Sequence, residues 1–145
     1  MMTIKKDPLW VTYSSDNTVS SANTDECGKW MYYWDNKEGV ADICKKAISE
    51  NIVQTCKHKD KEYDGVACFY LDLRDIEGHK KVLSFFMRND MIQKTKTGRL
   101  YNISFKLDEQ TKNHEYKKTH FKAKISLSDF VDLDTGEFLS EISLA

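Results

Sequence analysis

Backbone punctuation is sparse: one proline, Pro8, and six glycines serve 145 residues. No Pro- or Gly-rich linker divides the chain, so residues 1–145 read as a single domain, long enough to bury a core without metal or disulfide staples. Signatures that depend on glycine are missing too. There is no Gly-x-Gly-x-x-Gly, no phosphate-binding P-loop and no Gly-x-Ser-x-Gly, and "SSDN" (Ser14 to Asn17) has no accompanying Ser-x-x-Lys.

The four cysteines, Cys27, Cys44, Cys56 and Cys68, lie 17, 12 and 12 positions apart, which fits neither paired zinc-ligand spacing nor a Cys-x-x-Cys redox motif. They read as reduced thiols. No apolar run approaches the ~18 residues needed to cross a bilayer, and "MMTIKKDPLW" has no apolar signal region, so a cytoplasmic protein without membrane contact is expected. His58, His79, His114 and His120 are scattered without carboxylate partners at ligand spacing. Asp132 and Asp134 before Gly136 fall short of a calcium loop. Neither metal nor cofactor is expected, and no catalytic residue is assigned. Enzymatic activity is the minority reading: a lyase or hydrolase acting on a phosphorylated substrate, with His114 or His120 as acid.

The net charge of −1 gives no global field to steer the chain onto nucleic acid or an anionic membrane. Its distribution is uneven. Arg88 to Lys124 carries ten basic and four acidic residues, whereas Ile125 to Ala145 carries five acids and no base. The third quarter of the chain is where a basic patch is expected.

Two periodicities are present. Val40, Ile43, Cys44, Ala47 and Ile48 repeat at helical spacing, and Asp75 caps a second helix reaching about Asn89, with Ile76, Val82, Leu83, Phe86 and Met87 on its buried side. Alternation marks strands at Trp10 to Tyr13, Lys29 to Trp34, Val66 to Leu73, Leu100 to Leu107 and Phe121 to Leu127, with a short one at Ile52 to Lys57. "DLDTGEF" reads as a turn. The order implies an α+β fold: a mostly antiparallel curved sheet with two main helices packed on one face. The opposite face would then carry Asn102, Ser104, Lys106, Lys122 and Lys124.

The strand inside "GKWMYYW" is ambiguous. Trp30, Tyr32 and Trp34 share one face, and Lys29, Met31 and Tyr33 the other. Turned inward, the tryptophans are core; turned outward, they join the lysines as a base-stacking platform.

The succession "DPLWVTY", "GKWMYYW", an amphipathic helix followed by a lysine, "GVACFYLDLRDIEGHKKVLSFF" and "YNISFKLDEQTKNHEY" resembles the BLES03 family over about residues 8–116. That resemblance implies a fold like that of the cap-binding translation initiation factor 4E. The matching positions are Gly28, Lys29, Trp30, Lys57, Lys106, Asp108 and Thr111. Grouped lysines are costly unless an anion joins them.

The expected ligand-binding residues are therefore Lys29, Trp30, Trp34, Lys57, Arg99, Lys106, Asp108 and Thr111, engaging a phosphate-containing ligand such as a nucleotide or single-stranded nucleic acid. The alternative is a protein-protein interaction module, an inhibitor or adaptor without catalysis. Some members of the family carry the label phosphothreonine lyase, but no acid and base held in register accompany it here.

Overall fold

The structure is a computed structural model that describes residues 2–15, 27–107 and 125–142. Seven strands form one antiparallel curved sheet: β1 (Met2–Lys6), β2 (Trp10–Ser15), β3 (Cys27–Asn36), β4 (Thr55–Lys59), β5 (Tyr63–Asp72), β6 (Ser104–Leu107) and β7 (Ile125–Ser126). Their order across the sheet is β1-β2-β4-β5-β3-β6-β7. The α+β class expected from the two periodicities is the one observed.

Helix α1 (Lys37–Ser49) begins where the Asn36 side chain accepts the Gly39 N–H at 2.8 Å, and α2 (Ile76–Arg88) where Asp75 accepts the Gly78 N–H at 2.9 Å. Both helices end by the same device. Asn51 (φ 58°) and Asp90 (φ 57°) take the left-handed conformation, which lets Ile52 N–H reach Ala47 C=O and Met91 N–H reach Phe86 C=O, each at 2.9 Å. The chain folds back, and Ile52, Val53, Met91 and Ile92 are buried instead of starting strands. This corrects the strand expected at Ile52 to Lys57: pairing starts only at Thr55.

Strand parity decides which side is core. Val11, Tyr13, Trp30, Trp34, Cys56, His58, Ala67, Phe69, Phe105 and Ile125 point to the helices and are buried with Val40, Cys44, Ala47, Val82, Leu83, Phe85 and Phe86. Burying each Val, Leu, Ile or Phe side chain among them is worth about 1.5–3 kcal/mol. Trp30 and Trp34 are 0% and 2% exposed, so the reading of them as a stacking surface is overturned. Their strand lies between β5 and β6 in the body of the sheet, where the helix-facing row must be apolar.

One further expectation changes. Leu100 to Leu107 is strand only from Ser104; Tyr101 is exposed, and Asn102 leaves the sheet to bond Ser128. His79 is fully buried. β1 was not marked by any sequence pattern. Residues 121–124, with Lys122 and Lys124, lie outside the described residues. No helix among the described residues is long and apolar enough to cross a membrane.

Candidate functional site

The side of the sheet away from the helices carries the residues of opposite parity. Lys29 pairs with Tyr70 on one side and Lys106 on the other, so Lys106, Lys29 and Tyr70 form one row across β6, β3 and β5. The next row runs Met31, Cys68, Lys57, Thr12 and Lys5 across β3, β5, β4, β2 and β1. Beyond it Trp10 stands opposite Lys59, and Tyr33 opposite Val66. Five lysines and three aromatic rings thus share one face.

Their side chains meet. Lys57 Nζ lies 4.0 Å from the centroid of the Trp10 ring and 5.8 Å from that of Tyr70. Lys59 Nζ lies 4.4 Å from Trp10, and Lys29 Nζ 6.0 Å from Tyr70. Ring faces hold ammonium groups by cation–π attraction, about 0.5–1 kcal/mol at such half-exposed positions. Lys29 and Lys106, directly opposite each other, repel. Charge of one sign is concentrated here, and neither Lys57 nor Lys59 has an ion pair with a described carboxylate.

Trp10 owes its place to the turn before it. Asp7 accepts the N–H groups of Leu9 and Trp10, both at 2.8 Å, while Asp7 N–H donates to Trp10 C=O. Pro8 fits this tight β1–β2 turn because its φ is preset. Those two backbone hydrogen bonds, with a smaller contribution from nearby Lys57, hold the Asp7 carboxyl below its usual range. On the opposite edge of the same corner, Lys37 Nζ binds Asp60 at 2.7 Å and Lys6 approaches it at 3.5 Å, tying α1 and β1 to the β4–β5 turn.

Of the residues expected in the site, Lys29, Lys57 and Lys106 come together on this face. Trp30 and Trp34 face the core. Arg99 leaves the lysine group: it sits in the loop before β6 and binds Asp134 at 2.6 Å. Asp108 and Thr111 lie outside the described residues, as do His114 and His120. Sequence reasoning missed Trp10, Tyr70 and Lys59. The signal for Trp10 was the Asp7-Pro8 turn, which fixes the first residue after it in strand register.

His58 and His79 are structural. His79 Nε2–H donates to Leu73 C=O at 2.8 Å, leaving Nδ1 to accept the Trp30 indole N–H at 3.0 Å. His58 Nδ1–H donates to Lys59 C=O at 2.9 Å, leaving Nε2 to accept the Tyr13 hydroxyl at 3.0 Å. Both rings are held neutral, and burial lowers both pKa values. Burial likewise pushes Tyr13 up to about 12. All four cysteines are buried and none is in a disulfide, and no group of three potential metal ligands exists among the described residues.

No protein-family model matches the chain, and no curated protein proved significantly similar to it.

Proposed function

We propose that the open face of the sheet binds a phosphate-containing ligand, a nucleotide or single-stranded nucleic acid. Lys29, Lys57, Lys59 and Lys106 supply charge, and Trp10 and Tyr70 supply ring surface. One observation carries this reading: Lys57 lies within 6 Å of two rings at once, in the middle of a face where lysines stand opposite one another. Cations on aromatic rings beside further cations offer both halves of a nucleotide what they need. The resemblance to the BLES03 family fits a binding role but supplies no ligand, since fold does not fix function.

Titration of the protein with nucleotides and short single-stranded oligonucleotides, followed by tryptophan emission at low and high salt, tests it. Saturable binding weakened by salt, and lost in a Lys29→Ala, Lys106→Ala double variant of unchanged circular dichroism, is the expected result. Salt-insensitive binding would overturn it.

A protein-binding module is the second reading, favoured by β1. This is an edge strand with Ile4 51% exposed, and an edge can accept an added strand. A complex that survives nuclease treatment and is lost on Ile4→Lys would favour it.

A further inference from the structure

The arrangement of rings and lysines on the open face has a direction. Lys106, Lys29 and Tyr70 occupy one row, Lys57 is set one row further along, and Lys59 with Trp10 one row beyond that. From Lys106 on β6 to Trp10 on β2 there are four strand spacings sideways and four residues lengthwise. At ~4.8 Å per strand and ~3.4 Å per residue, the diagonal is about 24 Å. Cations and rings alternate along it: two lysines, Tyr70, Lys57, then Trp10 with Lys59. Carboxylates stand at both ends of the strands on this face, Asp72 beyond Tyr70 and Asp35 beyond Tyr33. Among the described residues these two flank the band along the strands, and Asp7, near Lys57, stands beside its β2 end.

We infer that the ligand is a single-stranded polynucleotide laid diagonally across the strands from β6 to β2, in contact over about four nucleotides, and not a mononucleotide. This rests on the reading above that the face binds phosphate. An isolated nucleotide reaches one ring and one or two lysines. A strand of several nucleotides satisfies the whole row. In the free protein the ammonium groups of Lys57 and Lys59 occupy the ring of Trp10. Phosphates attract these ammonium groups more strongly than a ring does, so backbone binding frees the ring faces for bases. Stacking and charge neutralisation are coupled through the same two side chains. Because every base has a π face and no side-chain amide lines the described part of the band, sequence preference is weak.

Oligothymidylates of one to ten nucleotides, titrated against the intact chain, test the inference without a variant. Affinity is expected to rise at least tenfold between one and four nucleotides and then level off. The slope of log K against log salt should approach about −0.7 per neutralised phosphate, or roughly −3 in all. Tripolyphosphate and longer inorganic polyphosphate serve as probes without bases. The oligonucleotide should bind at least tenfold more tightly than a polyphosphate of equal charge, with that margin lost in Trp10→Leu or Tyr70→Leu.

Equal affinity for the two would mean the rings read no bases and would overturn the inference, as would tighter binding to phosphatidylserine vesicles. A mononucleotide bound as tightly as a tetramer would overturn the diagonal track but leave phosphate binding standing. No response to any anion at low salt would overturn both.

Discussion

The indole N–H of Trp30 donates to Nδ1 of His79 across 3.0 Å in the centre of the core, joining β3 to α2. The His79 ring also meets Phe105 edge-on at 4.7 Å and Phe130 at 5.2 Å. This link fixes the side of β3 that faces the helices, and so turns Lys29 out to the open face.

Trp30 and Trp34 should therefore respond differently to the same change. Trp30→Phe leaves His79 Nδ1 without a donor in a site that excludes water, adding about 1–3 kcal/mol of desolvation cost to the lost contacts. Trp34 is equally buried, yet its N–H has no acceptor among the described residues. Trp34→Phe removes an unsatisfied donor, so only packing is lost. Urea denaturation should place the midpoint of Trp30→Phe below that of Trp34→Phe; the reverse order would contradict the hydrogen bond.

The two buried histidines make stability depend on pH. Each is a base whose folded pKa lies below its ordinary value of about 6.5, first through burial. Below pH 6.5 the unfolded chain takes up protons that the folded chain refuses. Their stabilising contribution is complete above pH 6.5 and is lost as the pH falls toward the depressed folded values, by up to about 1.4 kcal/mol per pH unit for each histidine. Urea midpoints should fall between pH 7 and pH 5. A His79→Gln variant, though less stable at pH 7, should lose less on acidification than the parent chain does.

Gly28 and Gly65 mark close approaches that an added carbon would disturb. A Cβ on Gly28 would come 2.6 Å from the Lys106 backbone oxygen, and one on Gly65 would come 2.3 Å from the Trp34 ring. Overpacking of this kind costs about 1–3 kcal/mol. The two variants should differ in function: Gly28→Ala strikes the β3–β6 pairing that sets Lys29 beside Lys106, whereas Gly65→Ala strikes the core side of β5. At matched folded fraction, anion binding should weaken in Gly28→Ala and hold in Gly65→Ala.

Long periodic elements were legible because their burial pattern is local. Both helices, the Asp75 cap of the second, and the alternation of Val66 to Leu73 belong to this group. The site was legible in part. Lys29, Lys57 and Lys106 were recognised individually, but what makes them a group is register between strands distant in sequence. Lys59 stands near Trp10 only because β4 returns beside β2 after the whole of β3 and α1. The facing of the tryptophans stayed open for a related reason: both faces of β3 are aromatic, and only the position of the helices distinguishes them. β1 was invisible because its residues are mostly exposed, so it shows neither alternation nor an apolar run.

Among the three tryptophans, Trp30 and Trp34 are sealed in the core, while Trp10 is half-exposed beneath two ammonium groups. Small ionic quenchers should feel this directly. Iodide is drawn to the lysines and meets Trp10 at raised local concentration, whereas caesium is repelled. Quenching by iodide should exceed that by caesium at low ionic strength and reach only a fraction of the total emission. Salt should narrow the difference by screening, and Lys57→Gln with Lys59→Gln should abolish most of it. Trp10→Phe should remove the accessible fraction altogether. If equal quenching by the two ions persisted at low salt, the lysines would not be concentrating anions at Trp10, and the proposed band would lose its anchor at the β2 end.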